Sequence, residues 1–190
     1  MPDRIEAGTY LAAVGICGGD IVIRDCVPGH LRAVISRLEK AGIRMEAGED
    51  WIRAVSGERT RAVDVMTDPY PGFPTDMQAQ FMALMTLSEG LSTVTETIFE
   101  GRFMHVPELC RMGADITLSE RKAVIRGVAA LYGAPLMATD LRASASLVLA
   151  GLGATRGVTE ISRVYHLDRG YDGLDGKLSR LGARIWRAEG

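Results

Sequence analysis

The chain repeats itself, and this repeat limits its fold more than any other feature. Three segments run from an apolar helical stretch through Leu-x-x-Gly, or a close variant, into an alternating strand: Val34–Met45, Pro107–Ile116 and Lys177–Ile185. Their glycines, Gly42, Gly113 and Gly182, stand 71 and 69 positions apart, a repeat of about 70 residues. Each glycine sits where a helix ends in a left-handed residue, and the alternation after it is that of a half-buried strand. In the first copy Leu31, Val34, Ile35 and Leu38 recur at helical spacing, and strands at 43–47 and 51–55 close as a hairpin through Gly48-Glu49-Asp50.

A second helix lies upstream in each copy, at Tyr10–Cys17, Asp76–Glu89 and Leu141–Leu152. A β-rich run follows each one, at Ile21–Ile23, Ser92–Thr95 and Val158–Ile161. The middle helix carries Phe81, Met82, Leu84, Met85 and Leu87, apolar around its whole circumference, and such a helix belongs inside. The pattern predicts an α/β fold of three units, at roughly 1–60, 61–130 and 131–190, around a pseudo-threefold axis, with helices central and sheets outside.

With 190 residues, 47% of them hydrophobic and 24% charged, the chain reads as one domain, residues 1–190, able to hold a core without disulfides or metals. A net charge of −2 argues against general nucleic-acid binding, which calls for a basic excess. The longest strongly apolar stretch, Leu147–Ala150, falls far short of the roughly 20 residues that span a bilayer, and no signal-peptide pattern opens the chain. No membrane association and a cytoplasmic location are expected. Cys17, Cys26 and Cys110 show no metal or C-x-x-C spacing and read as reduced thiols, with Cys17 and Cys110 on apolar helical faces. His30, His105 and His166 show no ligand spacing and read as loop or packing residues, so no metal is expected. Phosphate-loop, dinucleotide and nucleophile-elbow motifs are absent from the sequence. Only Lys40, Lys122 and Lys177 among the 22 basic residues are lysine. Either coding bias or a need for bidentate anion forks explains that excess of arginine.

Two helix starts nearly coincide, Phe73-Pro74-Thr75-Asp76-Met77-Gln78-Ala79 and Met137-Ala138-Thr139-Asp140-Leu141-Arg142-Ala143. Capping alone accounts for both aspartates, since threonine suits the N-cap and aspartate the first turn. The alternative is an anion site at the helix starts, with Arg142 as its fork. Phe99–His105 and Tyr165–Tyr171 occupy matching loops of the second and third units, each with an arginine. Equivalent loops of a threefold body open on one end, so Arg102, Arg142 and Arg169 either converge there or stand as separate surface arginines.

Four stretches, Tyr70–Gln80, Glu96–Leu109, Ala138–Leu147 and Tyr165–Tyr171, closely resemble the UDP-N-acetylglucosamine enolpyruvyl transferase family, and the resemblance covers essentially the whole chain. It implies an enolpyruvyl-transferase-like inverse α/β barrel domain of three βαβαββ units with buried helices. The implied activity is transfer of the enolpyruvyl group of phosphoenolpyruvate to the 3′-hydroxyl of UDP-N-acetylglucosamine with release of phosphate, the first committed step of peptidoglycan synthesis. Neither metal nor organic cofactor is implied. By the same resemblance Asp76 engages the sugar hydroxyl as base, Ile98 and Phe99 form part of the UDP-sugar wall, Arg142 and Arg169 serve the phosphoenolpyruvate side, and Asp140 and Arg102 complete the active-site set. A helix start lowers the basicity of a carboxylate, so Asp76 as base and Asp76 as hydroxyl-orienting partner both stay open.

Family members are longer. The resemblance implies that a whole N-terminal domain, with a catalytic cysteine loop and a lysine and arginine for phosphoenolpyruvate, lies outside this chain. The expected partners are therefore the two substrates and either an N-terminal domain in trans or a second copy in a homodimer. Two other readings compete: a lone UDP-sugar-binding domain without chemistry, and the shikimate-pathway enolpyruvyl transferase, which the Asp76 motif and Glu96–His105 disfavour.

Overall fold

In a computed structural model, residues 2–188 are described. The first copy of the repeat comprises α1 (Arg4–Cys17), β1 (Gly19–Arg24), a 3-10 turn at Pro28–Leu31 running into α2 (Arg32–Lys40), and the hairpin of β2 (Arg44–Ala47) and β3 (Trp51–Ser56). The second comprises β4 (Val65–Met66), a 3-10 turn at Thr75–Met77 leading into α3 (Gln78–Leu87), β5 (Leu91–Thr95), α4 (Val106–Arg111), β6 (Asp115–Ser119) and β7 (Lys122–Arg126). The third comprises β8 (Leu131–Tyr132), β9 (Pro135–Met137), α5 (Leu141–Leu152), β10 (Ala154–Arg156), β11 (Glu160–Ser162), α6 (Tyr165–Asp168) and α7 (Leu174–Arg180).

Helices α1, α3 and α5 pack against one another at the centre, as expected of helices with no polar face to turn outward. Every residue of Gln78–Thr86 in α3 and of Ala143–Ala150 in α5 is buried. Small residues allow the close approach. A Cβ added at Gly15 would stand 2.6 Å from Ile43 Cδ1 and 2.8 Å from Leu84 Cδ1. Polar side chains inside the bundle turn back onto helix carbonyls: Thr9 Oγ1 donates to Ile5 O at 2.8 Å, Thr86 Oγ1 to Ala83 O at 2.6 Å and Ser146 Oγ to Ala143 O at 2.7 Å. One network crosses between elements. Gln80 Nε2 donates to the hydroxyls of Thr9 and Tyr171, at 3.2 and 3.1 Å, and those two hydroxyls lie 2.9 Å apart.

The sheets wrap the helices. Strands β1-β3-β2 form an antiparallel sheet with β1 at its edge; β4-β5-β7-β6 form a four-stranded sheet; β8 pairs with β10 and β9 with β11, both in parallel. Ile52 and Ala54 of β3, and Ala123 and Ile125 of β7, are fully buried inward-facing positions that alternate with more exposed ones.

Four sequence expectations need correction. Helix α1 begins six residues before Tyr10 because Asp3 caps it, accepting from the amides of Ile5 and Glu6 at 2.7 and 3.3 Å. Tyr165–Asp168, read as loop, is a short helix. The strand expected after Gly182 does not form: β2 and β6, its counterparts, are each held by a following hairpin strand, and among the described residues none follows here. Ala183 and Ile185 instead pack beside Tyr171, Leu174 and Leu178. Cys17 and Cys110 are exposed; only Cys26 is buried, and all three are free.

Gly127 marks the tightest backbone approach. A Cβ there would lie 1.5 Å from Ser88 O and 2.7 Å from Ser88 C, and that carbonyl belongs to the C-cap of α3. Arg59 pins the same place, its Nε donating to Leu87 O and its Nη2 to Val128 O, both at 2.8 Å. Gly127→Ala is therefore expected to cost more than about 3 kcal/mol, the upper range for overpacking against a backbone that cannot yield. Urea unfolding checks this, and a loss below about 0.5 kcal/mol, the scale of neutral surface changes, would contradict the close approach.

Candidate active site

The starts of α3 and α5 lie side by side and carry the candidate residues. Pro74 enters the turn at Thr75–Met77 in extended conformation, and no side chain caps that turn. The Asp76 carboxylate is thus free to face outward and across. Arg102 Nη2 meets Asp76 Oδ1 at 2.7 Å and Arg142 Nη2 meets Oδ2 at 3.6 Å, so each oxygen has its own guanidinium. The side chain of Asp76 is 41% exposed against 23% for Arg102 and 14% for Arg142, which makes the carboxylate the outermost group of the three.

Asp140 does what the capping reading expects, accepting from the amides of Arg142 and Ala143 at 2.8 and 2.9 Å. It thereby fixes the turn from which Arg142 projects. The Arg142 guanidinium sits over the Tyr171 ring, 5.6 Å from the centroid, and its buried Nη1 has no partner. The Arg102 guanidinium sits over Phe99 at 5.2 Å, and its Nη1 donates to Thr75 Oγ1 at 2.8 Å. Ile98 and Phe99 themselves are exposed.

Sequence reasoning passed over the residue beneath this loop. Glu96 is fully buried at the end of β5 and accepts from Thr67 Oγ1 and Thr75 Oγ1, each at 2.8 Å, and from the amides of Ile98 and Phe99 at 2.8 and 3.1 Å. The available signal was an acidic residue directly after an alternating strand, with threonines around it. Arg169 stands apart. It is exposed, ends α6, and makes no hydrogen bond or ion pair with Asp76, Arg102 or Arg142. Its neighbour Asp168 is gripped by both Nη atoms of Arg187, at 3.0 and 2.5 Å, which lowers the Asp168 pKa. Of Arg102, Arg142 and Arg169, two meet at Asp76 and the third stands as a separate surface arginine.

His105 lies behind the loop, fully buried, with Nε2 3.3 Å from Met82 Sδ. Desolvation pushes its pKa down to about 4; Arg102 adds to the fall and Asp140 opposes it. It is a neutral packing histidine.

A shell of sheets thus surrounds three buried helices, with an arginine-flanked carboxylate at the helix starts. Comparison with known proteins places this arrangement in the enolpyruvyl transferase class. The solved structure of the enolpyruvyl transferase NikO from Streptomyces tendae superposes with a TM-score of 0.84 at 31% identity, covering 98% of this chain and 44% of that one. An EPSP synthase from Acinetobacter baumannii shares the fold, with a TM-score of 0.63 at 16% identity over 90% of this chain and 43% of that one. The sequence profile described as EPSP synthase (3-phosphoshikimate 1-carboxyvinyltransferase) matches residues 1–178, and the chain belongs to that family. Proteins named UDP-N-acetylglucosamine 1-carboxyvinyltransferase from Thermodesulfovibrio yellowstonii and Desulfosudis oleivorans are 60% and 59% identical to it over 98% of the chain. The chain spans 45% of the length of each. Among the described residues no helix is long and apolar enough to cross a membrane.

The buried His105 gives the fold a pH dependence of known sign. As pH falls below about 6.5 the unfolded chain takes up a proton at this residue. The folded chain does not do so until about 4. Stability is therefore complete above that window and falls within it as the pH drops, by up to about 3 kcal/mol. Denaturant unfolding at pH 7, 5.5 and 4.5 is expected to show this loss, and His105→Gln to flatten it; an unchanged slope in the variant would refute the assignment.

Proposed function

We propose that this chain forms the UDP-sugar-side wall of a UDP-N-acetylglucosamine enolpyruvyl transferase acting in the cytoplasm on the first committed step of peptidoglycan synthesis. In that reaction the sugar 3′-oxygen bonds to C2 of phosphoenolpyruvate as its hydroxyl gives up a proton and C3 takes one; phosphate then leaves C2 as C3 loses a proton, which restores the enol double bond. The observation that carries the reading is Asp76 held outermost between two guanidiniums at the start of the central helices. An outward carboxylate accepts a hydroxyl's hydrogen bond, and guanidiniums are suited to the carboxylate and phosphate of phosphoenolpyruvate.

The residues divide that work. Asp76 orients the hydroxyl, and it receives the proton once an incoming anion occupies the arginines. Arg142 offers its unpartnered buried Nη1 and Arg102 flanks the other side, while Arg169, which stands apart at the end of α6, is assigned to the phosphoenolpyruvate side by the family resemblance alone. Asp140 acts through the helix cap that sets Arg142. Exposed Ile98 and Phe99 give an apolar face of the kind a uridine ring packs against. The close relatives' names support the UDP-sugar over shikimate-derived substrates. The remaining catalytic groups belong to the part of those relatives that this chain does not span.

Phosphate release from phosphoenolpyruvate plus UDP-N-acetylglucosamine tests the reading, with the purified chain alone and mixed with the N-terminal domain of the Thermodesulfovibrio yellowstonii relative. Release on mixing that needs both substrates is the expected result. Sugar-nucleotide binding with no release under either condition would reduce the chain to a binding domain. In the mixed enzyme Asp76→Asn is expected to cut turnover by at least about 10², the scale of losing a general base. Turnover near that of the unmutated enzyme would remove Asp76 from the chemistry. Arg142→Ala should raise KM for phosphoenolpyruvate by about tenfold or more, the scale of one charge-assisted hydrogen bond, with little change for the sugar nucleotide. Equal losses for both substrates would contradict its placement on the phosphoenolpyruvate side.

A further inference from the structure

Burying a carboxylate is costly unless donors or a cation compensate it, and Glu96 has four donors and, among the described residues, no ion pair. Those donors come from three places: Thr67 beyond β4, Thr75 in the turn that carries Asp76, and the amides that open the 97–102 loop. Oε1 gathers Thr67 and the two loop amides, while Oε2 takes Thr75 alone. The single proton of Thr75 is thereby committed to Glu96, and its lone pairs face Arg102, whose Nη1 donates to them. A continuous path runs from Glu96 through Thr75 to Arg102 and on to Asp76.

We infer that Glu96 is a positioning residue that locks the 97–102 loop to the Asp76 turn, so that Ile98 and Phe99 hold one arrangement for the sugar nucleotide. This inference rests on the functional reading above. The loop has other anchors: Thr97 donates through its amide and its hydroxyl to Thr67 Oγ1 and O, Gln78 Nε2 donates to Arg102 O at 3.1 Å, Arg121 Nη1 donates to Thr97 O at 3.2 Å, and Arg121 also pairs with Glu100. None of these reaches the amides of Ile98 and Phe99. Glutamine at 96 keeps the size but supplies only one acceptor oxygen. If that oxygen holds the loop amides, the NH2 group confronts Thr75 Oγ1, which already accepts from Arg102, and the Thr75 proton loses its acceptor.

Glu96→Gln in the mixed enzyme is expected to raise KM for UDP-N-acetylglucosamine about tenfold, the scale of one hydrogen bond to a charged group, with KM for phosphoenolpyruvate and kcat changed less than about threefold. Amide hydrogen exchange of Ile98 and Phe99 in the chain should quicken about tenfold or more while the amides of α3 and α5 keep their protection. Thr75→Val cuts the path at its middle and should reproduce the KM change, and Thr75→Ser should restore it. These two variants decide the matter if Glu96→Gln does not fold. Equal rises in both KM values, or unaltered protection at Ile98 and Phe99, would overturn the inference. Should the unmutated mixture show no turnover, the functional reading falls, and exchange at those two amides alone decides whether Glu96 sets the loop.

Discussion

Three helices buried on every side are the constraint from which the rest of the structure follows. Such helices cannot present chemistry along their length, because any unpaired polar group there is desolvated without compensation. Their threonines and serines bond back to their own carbonyls, and their glycines make room for side chains of the neighbouring elements. What remains available is their ends. The first turns of α3 and α5 meet where Asp76 reaches Arg142, and there the helix dipoles favour anions.

The two helix starts look alike in sequence and act differently. Asp140 is extended, with φ −155° and ψ 175°, so its side chain folds over the next two amides and caps α5. Asp76 already lies inside a 3-10 turn that Pro74 precedes, and its carboxylate points away from the helix toward the arginines. One Thr-Asp pair therefore becomes a helix cap, while the other turns its carboxylate to two guanidiniums. The order of the site descends from the core: the Tyr171 hydroxyl is tied to Thr9 and Gln80, its ring carries Arg142, Arg142 meets Asp76, and Arg102 and Thr75 lead on to Glu96.

Periodicity made the architecture legible. The buried helices announce themselves through Phe81, Met82, Leu84 and Met85, the repeat glycines mark helix ends, and the 43–55 hairpin needs only alternation and a turn. Asp76, Arg102, Arg142 and Asp140 were visible as a pattern of charged residues at helix starts and in matching loops. Glu96 and Tyr171 acquire their roles only in three dimensions: the partners of Glu96 lie 2 to 29 positions away, and Thr9 lies 162 positions from Tyr171. The strand after Gly182 failed because alternation gives a strand its faces but not its neighbour, and pairing is what holds it. Cys17 and Cys110 were placed inward from helical spacing alone, which cannot fix a face at the last turns of a helix.

The pairing of Asp76 with its arginines is better suited to exchange than to stability. An ion pair this exposed contributes about 1 kcal/mol at most. Against that, a buried guanidinium donor left without an acceptor carries a desolvation cost of about 1–3 kcal/mol, and Arg142 Nη1 is in that position. An anion arriving at the helix starts loses little by displacing the carboxylate and gains by satisfying the idle donor. On the functional reading proposed above, Asp76 is then released toward a hydroxyl as the anion binds. On that reading the exposed ion pairs and the idle donor, which leave the free domain slightly under-bonded, couple the anion's arrival to the release of the carboxylate.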